Sequence, residues 1–334
     1  MSGSYYDYTK KRLAELHDFS SETLEWVVKR AQWQQSHKSY WDLFEAIGVP
    51  GVQTFVAENG DGVPYVDVPA RKKPQAGVLV VHTTMGNPLD ANQLYQIAVI
   101  ADTNPAYRVV GFGNPSGRPF YVAEQSLSFA KWWKIAFTKD ARPLFHAELA
   151  YLKKQGINDF VQIGYSYGAL KAVLESQYTP KGSIKKLILI DPVSHPRNPI
   201  RLAKDFSRTY QPLGEYVNRV ESATYHAARG DAAKIRDYFG TLIRPVNIAI
   251  GLLLARSSIS KQLGITLGRN PGASAFVAWG SKSELTSHGD FGAELRNTLG
   301  PKASRLKTIT LEGEKHAFAN DLYVHAALIR DALM

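Results

Sequence analysis

Near the middle of the chain, Val161-Gln-Ile-Gly-Tyr-Ser-Tyr-Gly-Ala-Leu-Lys-Ala-Val173 sets the pattern G-x-S-x-G between a short apolar run and a helix-favouring segment. A serine in that position has the makings of a nucleophile. Gly164 and Gly168 remove the side chains that would collide with neighbouring backbone in so sharp a turn. A helix beginning directly after Ser166 directs its positive end at negative charge developing there. The same five residues also occur in ordinary Gly-rich turns, and it is the strand before and helix after that favour chemistry. A serine hydroxyl is nearly inert near neutral pH, so it needs a base to take its proton and a group to orient that base. The chain has nine histidines and no cysteine, which removes a thiol nucleophile, a disulfide framework and a thiolate metal site.

The elements that must hold such a serine can be read from apolar patterning. Residues 1–48 read as helical, with Ser20-Ser21-Glu22 capping a helix that carries Leu24, Val27, Val28 and Ala31. A third short helix, Ser39 to Ile47, stops at Gly48-Val49-Pro50. Segments 53–57 and 63–68 flank Asn59-Gly60-Asp61-Gly62, a strong hairpin signal. From Val78–Val81 onward, apolar runs alternate with helical patterns: helix 90–101, strand 108–112, helix 140–155, strand 160–163, helix 167–177 and strand 186–190. Continuous apolar runs of this kind indicate strands buried on both faces, hence a parallel sheet wrapped by helices. Residues 192–270 break the alternation with helical patterns only, and it resumes with strand 275–279, helix 291–299, strand 307–311 and a final helix from about Asn320.

The order of hairpin, strand and loop, serine turn, insertion, and two further strand–loop units resembles the α/β-hydrolase fold over roughly residues 50–334. The resemblance implies a mostly parallel central sheet wrapped by helices, built from residues 51–191 and 271–334. A helical lid at 192–270 follows strand six, and residues 1–50 form an N-terminal helical arm outside the family pattern. The family's chain order of serine, acid, histidine points to His316, which follows the last strand in Glu312-Gly-Glu-Lys-His-Ala-Phe318. His82, His195, His226, His288 and His325 fall elsewhere in that order. For the acid, Gly280-Ser-Lys-Ser-Glu284 resembles the loop after strand seven, but its register puts Ser283 where the family has Asp. Glu284, one residue on, is the expected acid; Asp191 at the end of strand six is the alternative, and Asp290 a third. The oxyanion donors are expected to be the amides of Tyr167 and, from the loop after Val81, Thr84, with Thr83 second.

Composition bounds the rest. The 334 residues carry a net charge of +10, of which +7 falls in 192–270 with 12 Lys and Arg against 5 Asp and Glu. A local excess of that kind suits an anionic group on a substrate or a solvated helical surface. No zinc-finger spacing, aromatic RNP-like strand or long basic run argues for nucleic acid. No apolar stretch reaches the ~18–20 residues of a membrane span, and the N-terminus lacks a signal-peptide core, so cytoplasmic residence is the default expectation. Gly111-Phe-Gly-Asn-Pro-Ser-Gly117 matches neither phosphate-loop spacing, and no ligand spacing argues for metal. The resemblance implies a cofactor-free serine hydrolase acting on a carboxylic ester, thioester or amide, with a small ester or acyl compound as its partner. A thioesterase or acyltransferase on the same residues is the alternative within the class, and a non-catalytic binding protein the alternative outside it.

Overall fold

The computed structural model describes residues 5–82, 89, 91–113, 129–138, 140–194, 245–286 and 290–334, with isolated positions at 198, 205, 208, 226, 227 and 230. Most of residues 195–244 of the expected lid, and most of that segment's basic residues, lie outside the described residues.

Three helices open the described chain: α1 (Tyr5–Leu16), α2 (Ser21–Gln35) and α3 (Tyr40–Ile47). The Ser20 hydroxyl caps α2 by accepting the Thr23 N–H at 3.1 Å, and Ser39 caps α3 in the same way. Gly48 ends α3 with a φ of 75°, a conformation glycine reaches without strain. The hairpin β1 (Gln53–Val56) and β2 (Gly62–Val68) follows, then β3 (Gly77–His82), α4 (Ala91–Thr103) and β4 (Tyr107–Phe112). Next come α5 (Phe129–Thr138), α6 (Arg142–Lys154), β5 (Phe160–Tyr165), α7 (Tyr167–Glu175) and β6 (Ile184–Ile190). The remainder is α8 (Pro245–Arg256), α9 (Ile259–Arg269), β7 (Ser274–Gly280), α10 (Phe291–Leu299), β8 (Leu306–Leu311) and α11 (Leu322–Leu333).

Eight strands form one sheet in the order β1-β2-β4-β3-β5-β6-β7-β8. The pairs β1–β2 and β2–β4 are antiparallel, and every pairing from β4 to β8 is parallel. Strand alternation sends residues to two separate cores. Leu79, Val81, Ile188 and Ile190 pack beneath α4, α11 and the N-terminal helices, while Val78, Val80, Leu187 and Leu189 pack beneath α6, α7, α9 and α10. This is why those strands read as unbroken apolar runs. α9 belongs to the second layer, with Ile259, Leu263 and Leu267 fully buried, although the sequence reading counts it within the lid segment. Among the described residues no helix is long and apolar enough to cross a membrane.

The N-terminal helices are fastened by charge as well as by packing. The fully buried carboxylate of Asp102, on α4, accepts from Arg30 at 2.5 and 2.7 Å, from Gln34 at 2.8 Å and from Arg71 at 2.8 Å. Three donors answer a charge that would be costly to bury alone.

Candidate active site

β5 delivers its chain to the C-terminal edge of the sheet, and Ser166 turns it directly into α7. The turn is tight enough to force Ser166 to a φ of 57° and a ψ of −119°. Its N–H is anchored on the Ile190 carbonyl of the neighbouring strand at 2.9 Å. Gly164 is required by contact: a Cβ there would lie 2.2 Å from the Gly168 carbonyl oxygen and 2.6 Å from Ala169 Cα. The serine is 6% exposed, at the start of a helix whose leading N–H groups have no intrahelical acceptor.

His316 lies in the loop after β8, and its imidazole bridges two groups. Nε2 is 2.9 Å from Ser166 Oγ, and Nδ1 hydrogen-bonds Asp191 Oδ2. A carboxylate can only accept, so Nδ1 carries the hydrogen and Nε2 presents its lone pair to the serine hydroxyl. The ring stacks on Tyr165 with centroids 5.5 Å apart, and the Tyr165 hydroxyl donates to the His316 carbonyl at 3.0 Å. Asn320 in turn donates to that hydroxyl at 3.3 Å. The imidazole is thus fixed in plane as well as in hydrogen bonding.

Asp191, at the end of β6, is fully buried and multiply bonded. Its Oδ1 accepts the Gly280 N–H at 2.8 Å, and its Oδ2 accepts the Ser283 hydroxyl at 2.6 Å as well as the His316 ring. Its own N–H donates to the Ala278 carbonyl at 2.7 Å, and its φ is 42°. Ser166 and Asp191 are the two non-glycine residues with positive φ among the described residues. Strained backbone of this kind concentrates at functional sites.

The sequence reading placed Glu284 in the acid position. In the structure both ring nitrogens of His316 are engaged, by Asp191 and by Ser166, so the carboxylate at its Nδ1 is that of Asp191 and not of Glu284. The reason is register. Gly280, the last residue of β7, and Ser283, in the loop after it, both donate to a carboxylate that reaches across from β6, while Glu284 lies one residue beyond Ser283 and half-buried. Thr286 and Ser194 strap this loop to the chain after Asp191, through Thr286 Oγ1 to Pro192 O at 2.7 Å and Ser194 Oγ to Thr286 O at 3.1 Å. Asp290 is spent as the cap of α10, accepting the Ala293 N–H at 2.8 Å. Of the expected oxyanion donors, Tyr167 is the first residue of α7, while Thr83 and Thr84 lie outside the described residues. β3 does end beside the serine turn, with His82 in register with Gly164.

Behind the turn is a fully buried polar group that the sequence reading does not assemble. His82 Nε2 is 2.9 Å from Glu175 Oε2, Gln162 donates to the same oxygen at 2.6 Å, and Lys171 Nζ is 2.5 Å from Glu148 Oε1. Burial, with Lys171 adding to it, pushes His82 down to about 3. Burial pushes Glu148 and Glu175 up to about 7, with Lys171 opposing. Burial, with Glu148 beside it, also raises the Tyr167 phenol. Ligand atoms of His82, Glu148 and Glu175 lie within 4.8 Å of one another, as a metal site needs, but the Lys171 ammonium already supplies a cation there. The lysine and the acids sit four residues apart or on different elements, so only their apolar surroundings hint at burial in the sequence.

No family model and no curated protein matches the chain. Solved structures do. The bromoperoxidase from Bacillus anthracis aligns with a TM-score of 0.52 and 12% identity, over 85% of this chain and 98% of its own. The thioesterase domain from the curacin biosynthetic pathway aligns at 0.51 and 16% identity, over 85% and 99%. The proline iminopeptidase from Mycobacterium smegmatis aligns at 0.51 and 14% identity, over 85% and 99%. The strand order, the crossover pattern and these likenesses agree: the chain adopts the α/β-hydrolase fold.

Proposed function

We propose that the chain is a serine hydrolase acting on a carboxylic ester, with Ser166, His316 and Asp191 as its triad. The observation that carries the reading is the imidazole of His316, bonded through one nitrogen to Ser166 Oγ and through the other to Asp191. In this reading Ser166 Oγ attacks the ester carbonyl as its proton passes to His316 Nε2. Asp191 holds the ring in the productive tautomer and stabilises the imidazolium. The Tyr167 N–H and a second amide from the loop after β3, Thr84 first, receive the oxyanion. Collapse breaks the ester C–O bond, and the departing alkoxide takes the proton from Nε2. Water then attacks the acyl-serine with His316 again as base, releasing the carboxylate and restoring the serine.

The reading keeps a cap ahead of α9 as the part that sets substrate choice, with its basic residues suited to an anionic group. A thioesterase or acyltransferase would share every step to the acyl-serine and differ in the acceptor or leaving group. A non-catalytic binding protein has no need of a carboxylate to orient the histidine, and the contact of Asp191 with His316 argues against that alternative. The test is hydrolysis of p-nitrophenyl acetate and butyrate. Wild-type protein is expected to turn over and Ser166→Ala is not; a folded Ser166→Ala protein with substantial turnover contradicts the assignment.

A further inference from the structure

We infer that Arg12, on the N-terminal helix α1, is a positioning residue for the loop that carries His316; the inference rests on the hydrolase reading above. Arg12 Nη2 lies 2.6 Å from Glu314 Oε1, two residues before the histidine and 302 residues away in the chain. The Glu314 side chain is 6% exposed and that of Arg12 18%, so little water competes with the bond.

That loop is also the clamp on the acid. The Glu314 carbonyl accepts the Lys282 N–H at 2.8 Å. It lies so close to Gly280 that a Cβ there would be 2.3 Å from its oxygen. The same turn gives the Gly280 N–H and the Ser283 hydroxyl to Asp191. A displacement of Glu314 therefore disturbs the histidine and the carboxylate together. α1 is itself well anchored: Leu13 and Leu16 are buried in the same apolar layer as Leu322 and Val324 of α11. The next helix is tied to α11 through Glu22 and Arg330 at 2.8 Å. The N-terminal arm is thus a working support of the site.

The experiment compares Arg12→Ala, Arg12→Lys, Glu314→Gln and the exposed control Lys11→Ala with wild type. Turnover of p-nitrophenyl butyrate is expressed per site titrated with a fluorophosphonate, and the downfield proton resonance of the His316 Nδ1–H is recorded without substrate. Arg12→Ala and Glu314→Gln are expected to lower kcat by about 10–100-fold, the order produced by ~1 Å of misplacement, with KM within about twofold. The resonance should shift or broaden in both, Arg12→Lys should recover most of kcat, and Lys11→Ala should match wild type. A purely structural role would lower the melting temperature and leave kcat per titrated site unchanged. Wild-type kcat and resonance in Arg12→Ala overturn the proposal. If that variant does not fold, the same result in Glu314→Gln overturns it. Wild-type protein that neither labels nor turns over sinks the hydrolase reading instead, and the resonance then decides on Arg12 alone.

Discussion

Ser283 Oγ donates to Asp191 Oδ2 at 2.6 Å, joining the loop after β7 to the carboxylate at the end of β6. Ser283, which falls where the family resemblance puts an acid, thus holds a carboxylate that comes from the adjacent strand. Asp191→Asn is expected to cost about 10⁴-fold in kcat, because an amide favours the wrong imidazole tautomer. Ser283→Ala removes one bond to a charged group, worth about 1.5–3 kcal/mol, and should cost about tenfold or more. Glu284→Gln should stay within a few-fold of wild type. Steady-state kinetics on one ester decides, and the reverse ranking of Asp191 and Glu284 contradicts the geometry.

Ser166 at a φ of 57° stores backbone strain of about 1–3 kcal/mol. Ser166→Gly and Ser166→Ala both lose the hydroxyl, but only glycine relaxes at positive φ. Ser166→Gly should be the more stable of the two by about 1 kcal/mol once its greater unfolded-state freedom is subtracted. Thermal melting of the pair tests this, and a more stable alanine variant would show the turn to be unstrained.

Gly164 faces backbone, not a movable side chain. A Cβ there would come within 2.4 Å of the Gly168 carbonyl carbon, so α7 itself would have to shift. Overpacking typically costs ~1–3 kcal/mol, and Gly164→Ala should fall at the upper end and lose most of its turnover. An unchanged melting temperature together with unchanged turnover would refute the close approach.

The buried group behind the turn predicts a pH dependence. A carboxyl whose folded pKa lies above its unfolded value favours folding at low pH, and that advantage is lost as pH rises through the folded value. For Glu148 and Glu175 the window runs from the ordinary 4.5 to about 7. Lys171 is the cation that offsets ionised Glu148, so Lys171→Met should cost about 3–5 kcal/mol at pH 8 and clearly less at pH 5, where the carboxyls keep their protons. Urea melts of both proteins at the two pH values check the sign. An equal penalty at both would mean that Glu148 does not change its charge beside Lys171 between pH 5 and pH 8.

Much of this architecture is legible in the sequence because it is local. The apolar runs of β3, β5 and β6 alternate between two cores, so their burial appears in residue type alone. The serine turn is legible for the same reason, its two glycines and following helix lying within a dozen residues. The surroundings of Asp191 are not local. Asp191-Pro192 reads equally well as a strand stop, and its carboxylate meets its donors, Gly280 and Ser283, about 90 residues away. α9 carries a visible signal in Ser258 and in Ile259, Leu263 and Leu267, but it directly follows the insertion and reads as part of it. α5, Phe129–Thr138, is dense in aromatics and packs against α8. Arg12 and Glu314 are ordinary surface types until the fold brings them together.

The central claim is that Ser166 is activated by His316 and Asp191, and covalent labelling tests it most directly. A fluorophosphonate probe at a small excess should add one phosphonyl group per chain, and peptide mapping should place it on Ser166. Ser166→Ala should remain unlabelled, and Asp191→Asn should label far more slowly. Folded wild-type protein that takes up no label, or takes it at another residue while Ser166 stays free, contradicts the account.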